Sequence, residues 1–304
     1  MQTTAHLLMI RPVNFSFNEA TAINNAFQVA ASDEMTQEKA LAEFEGLVEV
    51  LRDNGVDVTV INDTPEPYTP DSIFPNNWVS FHQDGVVCLY PMYAVNRRLE
   101  RKPGVLKELG RKFVFRTTLD FSSYEKEGLF LEGTGSMVLD RDNKIAYTCL
   151  SPRTDKKVLQ DFCEKMGYRP ETFTSVDDNE NPIYHTNVMM CVADKYVVVC
   201  LDSVPDDAET KHLSATIKGS GKEIIEITPE QMNHFAGNML QVHNDKNEKL
   251  LVMSTQAYES LSSTQLRKLK AFNRILHAPL TTIETNGGGS ARCMLAEVHL
   301  SLVK

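Results

Sequence analysis

The feature that most constrains this 304-residue chain is an internal repeat. Five segments place a small polar residue or a cysteine ahead of an apolar run, at Asn77, Ser136, Asn187, Asn238 and Cys293. The anchors are 59, 51, 51 and 55 residues apart. Self-similarity at such a period is the mark of a repeat architecture, in which each unit buries its apolar face against its neighbours. Each anchor is expected to open a short strand, a turn and a second apolar strand, as in SMVLD-RDNK-IAYTCL and NVMMCV-ADK-YVVVCL. A helix follows in most units. Residues 155–167 bring Val158, Leu159, Phe162 and Met166 to one face and stop at Gly167, and comparable stretches end at Gly219 or start from Ser262 and Ser263. One more strand closes each unit: KFVFRT, ETFTS, EIIEIT or LTTIE.

The unit therefore reads β-β-α-β, and the N-terminus supplies its missing half. LLMI (7–10) reads as a strand, and 36–54 as a helix with Ala40, Leu41, Phe44, Leu47, Val48 and Leu51 inward. VDVTVI (56–61) is the strand after it. If the segment from Cys293 onward pairs with this half, five units close into a ring, which hides edge strands. The expected fold class is α/β, a five-bladed propeller of β-β-α-β units in one domain spanning 1–304. An ordinary α/β domain in which strand–turn patterns recur by chance is the alternative. Residues 13–35 fit no unit and read as a lid or a plain surface loop.

Composition removes several function classes. With 31 basic and 41 acidic side chains the formal charge is −10, which argues against a phosphate-backbone partner. No apolar run approaches the roughly 20 residues of a membrane span, and the start MQTTAHLLMIRP lacks a signal peptide's pattern. Neither nucleic acid nor membrane is expected as a partner. The six cysteines, at 88, 149, 163, 191, 200 and 293, show no CxxC pair or framework spacing, so a reducing cytoplasm is the expected setting. No Cys/His spacing suggests zinc, and neither metal nor other cofactor is expected.

A ring turns equivalent positions toward one axis, where residues far apart in sequence meet. Near the anchors lie His185, Glu132 and the run Asn286-Gly287-Gly288-Gly289 ahead of Cys293. A thiol, an imidazole and a carboxylate are the parts of a covalent cysteine hydrolase. Each also has a plain reading. Five cysteines sit in apolar runs as small buried hydrophobes. Cys293 differs, because three consecutive glycines expose backbone for close approach. His185 alone would pass for a satisfied core residue, but it stands two residues before an anchor. Glu132 follows Leu129-Phe130-Leu131, an awkward place for an idle carboxylate. His82, His212, His234, His243, His277 and His299 have no such context and read as structural.

Glu132-Gly133-Thr134-Gly135, Tyr184-His185-Thr186-Asn187 and Gly287-Gly288-Gly289-Ser290-Ala291-Arg292-Cys293-Met294 resemble, in this order, the glutamate, histidine and cysteine motifs of the guanidino-group-modifying enzymes, or penteins. That superfamily includes arginine deiminases, dimethylarginine dimethylaminohydrolases, amidinotransferases and arginine dihydrolases. Within it the chain most resembles the bacterial citrulline-utilisation hydrolases. The resemblance covers nearly the whole chain and implies the five-bladed propeller. It implies a catalytic set of Cys293, His185 and Glu132, and a small-molecule amino acid as partner. Asp71-Ser-Ile-Phe74-Pro-Asn76-Asn77 is similar to the segment that grips the substrate head group, and Arg97 and Arg153 match positions that bind the substrate carboxylate. A homodimer is admitted as the assembly.

The departures from the family pattern bear on substrate. Asn77 and Asn187 stand where relatives that bind a guanidinium usually carry Asp. An amide donates and accepts, which suits a neutral ureido group. Arginine dihydrolases also use Asn there, however, so the amide can mark how far hydrolysis proceeds. The expected function is a cysteine-dependent hydrolase acting on the ureido or guanidino group of an arginine-related amino acid. An amidinotransferase that passes the adduct to an amine is one alternative, and a non-catalytic binding ring another.

Overall fold

The computed structural model describes residues 1–30 and 35–303. The chain begins with β1 (His6–Arg11), then the helix α1 (Thr36–Asp53) and β2 (Asp57–Asn62). The next unit holds β3 (Val79–Phe81), β4 (Val86–Leu89), α2 (Pro103–Leu109) and β5 (Thr117–Asp120). It is followed by β6 (Val138–Asp140), β7 (Ile145–Cys149), α3 (Lys156–Met166) and β8 (Arg169–Phe173). Then come β9 (Met190–Val192), β10 (Tyr196–Val199), α4 (Asp207–Gly219) and β11 (Glu223–Glu226). The last full unit is β12 (Leu240–His243), β13 (Lys249–Ser254), α5 (Ser263–Phe272) and β14 (Arg274–Ala278), and β15 (Ala296–Glu297) ends the series.

Among the described residues these strands form five three-stranded sheets. Four share one plan: the first strand pairs antiparallel with the second, which pairs parallel with the third across the helix. The fifth sheet has the same plan but draws on both chain ends. β15 pairs antiparallel with β1 (Leu7 opposite Glu297), and β1 pairs parallel with β2. This is the pairing that joining the two ends required.

Local chemistry explains the helices. Asp155 caps α3 by accepting from the Lys157 and Val158 N–H groups, and Gly167 ends it at φ +69°. Asp206 caps α4 in the same way, and Ser262 with Gln265 forms a capping box on α5. α1 buries Ala40, Phe44, Leu47, Val48 and Leu51, while Leu41 is only half-buried at the edge of that face. Each large apolar side chain so buried contributes about 1.5–3 kcal/mol.

Two sequence expectations are corrected. KFVFRT is not the closing strand of its unit, because pairing with β4 begins only at Thr117. Residues 112–114 instead meet the C-terminal tail, where Val114 N–H donates to Ser301 O and Val303 N–H to Lys112 O. Phe113 is buried there against Leu8, Trp78 and Leu300. LTTIE is likewise no strand. The closing strand is Arg274–Ala278, and after Pro279 the chain enters a helix, Thr281–Gly287. Glu43 on α1 drives this change by accepting from the Thr282 and Ile283 N–H groups, which a helix start leaves free.

The anchors also differ in detail. Most lie in a single helical turn just ahead of the strand: Pro75–Asn77, Gly133–Ser136, Thr186–Met189 and Ala291–Met294. Contacts link the turn at Gly133–Ser136 to those at Pro75–Asn77 and Thr186–Met189, and the turn bearing Cys293 also meets Pro75–Asn77. Among the described residues no helix is long and apolar enough to cross a membrane.

Candidate active site

The short turns exist because the backbone must pass very close to its neighbours. A side chain at Gly135 would collide with the Asn77 amide and the His185 ring, and one at Gly133 with the Asn76 carbonyl. Glycine there lets the Glu132 turn nest against the other two, and so brings Glu132 within reach of His185.

The side chains meet around a buried cavity of about 10 Å³, room for roughly one water. Asp71, Phe74, Asn77, Arg97, Arg153, His185 and Cys293 line it, together with Thr21, Asn25, Tyr184, Gly287 and Gly289. Glu132, Asn187 and Asn76 stand behind this lining. Glu132 is fully buried, and its Oε2 accepts from His185 Nε2 at 2.8 Å while its Oε1 accepts from the Tyr93 N–H at 2.9 Å. Asn187 donates from Nδ2 to Cys293 Sγ at 3.5 Å. Asn76 is fully buried beside the Glu132 turn, its backbone oxygen accepting from Thr134 Oγ1 at 3.3 Å.

Electrostatics give the pair defined protonation states. Burial by itself would raise the Glu132 carboxyl, but Arg153, the His185 hydrogen bond and Arg97 outweigh it and hold Glu132 down at about 2. Burial pushes His185 down to about 4, against the pull of Glu132. At neutral pH the pair is thus a carboxylate and a neutral imidazole. Nε2 carries the proton donated to Glu132, so Nδ1 keeps the lone pair. Arg153 Nη1 stands 3.6 Å and Arg97 Nη1 3.9 Å from Glu132 Oε2.

The two arginines are already partnered. Arg97 forks onto Glu100 (2.8 and 3.0 Å), donates to Asn77 Oδ1 at 2.9 Å and lies 3.7 Å from Asp71. Arg153 donates from Nε to Asn24 Oδ1 and from Nη2 to Thr21 O, both at 2.8 Å, and lies over the Tyr184 ring. Burial raises both Asp71 and Glu100, Glu100 to about 7. Several buried polar atoms have no hydrogen-bond partner: Asn76 Oδ1 and Nδ2, Asn77 Nδ2, Asn187 Oδ1 and Asp71 Oδ1. Such atoms are costly in a core and gather where a protein holds a ligand.

The polar segment near the N-terminus covers the cavity. Asn18 Nδ2 donates to Asp71 Oδ2 at 2.7 Å, Thr21 Oγ1 donates to the same oxygen at 3.3 Å, and Thr21 and Asn25 form part of the lining. Residues 31–34 of the expected 13–35 lid lie outside the described residues.

Asn238 belongs to the site although sequence reasoning left it as a bare anchor. Its Nδ2 donates to Cys293 Sγ at 3.3 Å and to Asn187 O at 2.9 Å, while its Oδ1 accepts from the Arg292 N–H at 3.0 Å. The equivalence of anchors was the signal for it. Tyr184 was also missed: its hydroxyl donates to Gly288 O at 2.5 Å. The other five cysteines are buried in the cores, and burial pushes Cys88, Cys163 and Cys191 up to about 12 and Cys149 and Cys200 to about 11.

Five three-stranded sheets of one plan, with Cys293 and His185 lining one cavity and Glu132 bonded to His185 behind it, accompany a family match that makes the chain a guanidino-group-modifying protein of the pentein superfamily. A family model described as N,N dimethylarginine dimethylhydrolase, eukaryotic, matches residues 11–300, and the chain belongs to that family. Among curated proteins none matches the chain. The fold is shared with solved structures at low identity. ArgZ, an arginine dihydrolase from the ornithine–ammonia cycle in cyanobacteria, is 19% identical in its apo structure, with a TM-score of 0.75, over 98% of this chain and 41% of that one. The chain therefore spans about two fifths of full-length ArgZ. Against the N-terminal domain of ArgZ, in a cysteine-to-serine variant bound to substrate, identity is 17% and TM-score 0.76, over 96% of this chain and 97% of that one. The dimethylarginine dimethylaminohydrolase from Pseudomonas aeruginosa, a cysteine-to-serine variant complexed with citrulline, is 16% identical with a TM-score of 0.65, over 98% and 100%.

Proposed function

We propose that the protein is a cysteine-dependent hydrolase acting on the ureido or guanidino carbon of an arginine-related amino acid, with citrulline as the substrate the site suits best. The observation that carries this reading is the convergence of Cys293, a neutral His185 and an ionised Glu132 at one buried cavity. His185 Nδ1 takes the thiol proton, and Cys293 Sγ attacks the head-group carbon. The imidazolium, paired with Glu132, returns that proton to ammonia as it leaves. Water then attacks the thio-adduct, His185 takes its proton, and the C–S bond breaks. With citrulline the released carbamate breaks down to ornithine and carbon dioxide, so one water enters and ammonia, ornithine and carbon dioxide leave. Asn187 and Asn238 set amide donors against Sγ, which steadies the thiolate that forms once His185 has taken its proton.

Head-group electrostatics favour a neutral ureido group. Arg97 and Arg153 both lie within 4 Å of Glu132, so this carboxylate is already shared between two cations. A third cation at such distances from an arginine is opposed by up to about 4 kcal/mol at an effective dielectric near 20. Asn77 Nδ2 and Asn187 Oδ1 offer one donor and one acceptor. Arg153 is the candidate for the substrate carboxylate, with Asn24 and Thr21 displaced as the covering segment moves, whereas Arg97 is held by Glu100. The family match favours a methylated arginine as the second reading.

The test is incubation with citrulline, arginine and N,N-dimethylarginine, following ammonia, ornithine, citrulline and dimethylamine. Ammonia and ornithine from citrulline are expected. Dimethylamine release with citrulline left intact would replace this substrate by the methylated arginine, and no release from any of the three would overturn the hydrolase reading. The six unpaired cysteines suit a reducing cytoplasm, and light scattering would decide whether the chain forms a homodimer.

A further inference from the structure

Outside the cavity lining, bonded to the serine that starts the turn carrying Cys293, lies a buried carboxylate with no part in the chemistry above. Glu284 sits in the helix Thr281–Gly287 and is 3% exposed. Its backbone carbonyl accepts from the Gly288 N–H at 2.9 Å. Its side-chain Oε1 accepts from Ser290 Oγ at 2.6 Å, and Oε2 from Gln256 Nε2 at 3.3 Å. One residue thus bonds both the middle of the Gly287-Gly288-Gly289 run and the serine that follows it. Ser290 in turn accepts the Cys293 N–H on its backbone oxygen at 3.0 Å, which starts the turn that carries the thiol. The three glycines have no side chains to hold them, and Gly288 sits at φ +62°. Tyr184, which lines the cavity, bonds the Gly288 carbonyl, while Glu284 bonds the Gly288 N–H and Ser290.

We propose that Glu284, acting through Ser290, is a positioning residue that fixes the glycine run and so sets where Cys293 Sγ stands relative to the substrate carbon. The inference rests on the reading of Cys293 as nucleophile. Burial pushes the Glu284 carboxyl up to about 7; Ser254 and Ser290 oppose this by hydrogen bonding, Glu43 adds to it and His234 opposes it. Either protonation state keeps an oxygen that accepts from Ser290 Oγ, and so does a glutamine.

The test measures kcat and KM for ammonia release from citrulline and arginine, and for dimethylamine release from N,N-dimethylarginine, in Glu284→Ala, Glu284→Gln, Ser290→Ala and the Glu284→Ala/Ser290→Ala double variant. Cys293→Ala is assayed alongside, and circular dichroism checks each fold. Glu284→Ala and Ser290→Ala should each lower kcat about 10- to 100-fold with KM changed less than about threefold, as expected when reacting atoms are displaced by about an ångström. Glu284→Gln should keep most of the wild-type kcat, and the double variant should be no slower than the slower single. Wild-type kcat in Ser290→Ala, multiplied losses in the double variant, or a Glu284→Gln as slow as Glu284→Ala would each overturn the inference. Should Glu284→Ala fail to fold, Ser290→Ala and Glu284→Gln carry the test. Turnover in Cys293→Ala would remove the nucleophile reading and this inference with it, whereas an inactive Cys293→Ala beside an unslowed Ser290→Ala would remove the inference alone.

Discussion

The molecule holds two buried clusters of nearly the same composition. At the cavity, Glu132 and His185 lie beside Arg97 and Arg153. In the second, Glu297 and His299 lie beside Arg141 and Arg292. In both, arginines and a histidine hold a buried glutamate well below its usual range against the cost of burial, and burial pushes the histidine down to about 4. The clusters differ in what is left over. Arg292 satisfies Leu295 O and Glu297, while Arg141 reaches Glu297 and His82, whose other nitrogen meets Ser80. Around Glu132 and His185, by contrast, stand a thiol and amide and carboxyl atoms without partners. A Glu–His–Arg set is therefore not a signature of chemistry in itself. What separates the cluster proposed as reactive from its structural counterpart is unused hydrogen-bonding capacity beside the thiol of Cys293.

Replacing one residue in each cluster should break the likeness. His185→Gln removes the proton carrier and should lower kcat by about 10³- to 10⁴-fold with a thermal midpoint near wild type, read by ammonia release and calorimetry. Glu132→Gln, which leaves the imidazolium without its carboxylate, should cost about 10²- to 10³-fold in kcat. Glu297→Gln should do the reverse: kcat of the folded protein is kept, but stability falls by about 3 kcal/mol because two buried arginines lose their counter-charge, read by denaturant unfolding. A further effect concerns pH. His299 stays neutral in the folded protein down to about 4, whereas the unfolded chain protonates near 6.5. It therefore removes stability as pH falls from 6.5 to 4, at up to about 1.4 kcal/mol per unit. His299→Gln should show a shallower loss over that window than wild type; an equal slope would mean that His299 already titrates normally when folded.

The repeat made most of the fold legible, since strand alternation and capping residues such as Asp155, Asp206 and Ser262 are local signals. The two closing strands that the repeat places at KFVFRT and LTTIE are decided at long range. Phe113 is taken up by the C-terminal tail, and Glu43, some 240 residues away, caps the helix at Thr282 and Ile283. Cys293, His185 and Glu132 stood out because each broke its local pattern. Asn238 and Tyr184 did not: one follows glycine in an ordinary turn, and the other is an aromatic in a half-apolar run, so only the folded contacts reveal what they touch. The occupation of Arg97 by Glu100 was equally invisible, although the two are only three residues apart, because nothing in an exposed-looking NRRLE run announces a buried ion pair.

Everything in the contrast between the two clusters turns on Cys293. The direct measurement is acid quench during turnover of citrulline, arginine or N,N-dimethylarginine, followed by peptide mapping by mass spectrometry, with Cys293→Ser run in parallel. A substrate-derived mass confined to the peptide bearing Cys293, and a Cys293→Ser protein that folds but does not turn over, is the predicted result. Attachment at another residue, or turnover at the wild-type rate in Cys293→Ser, would contradict it.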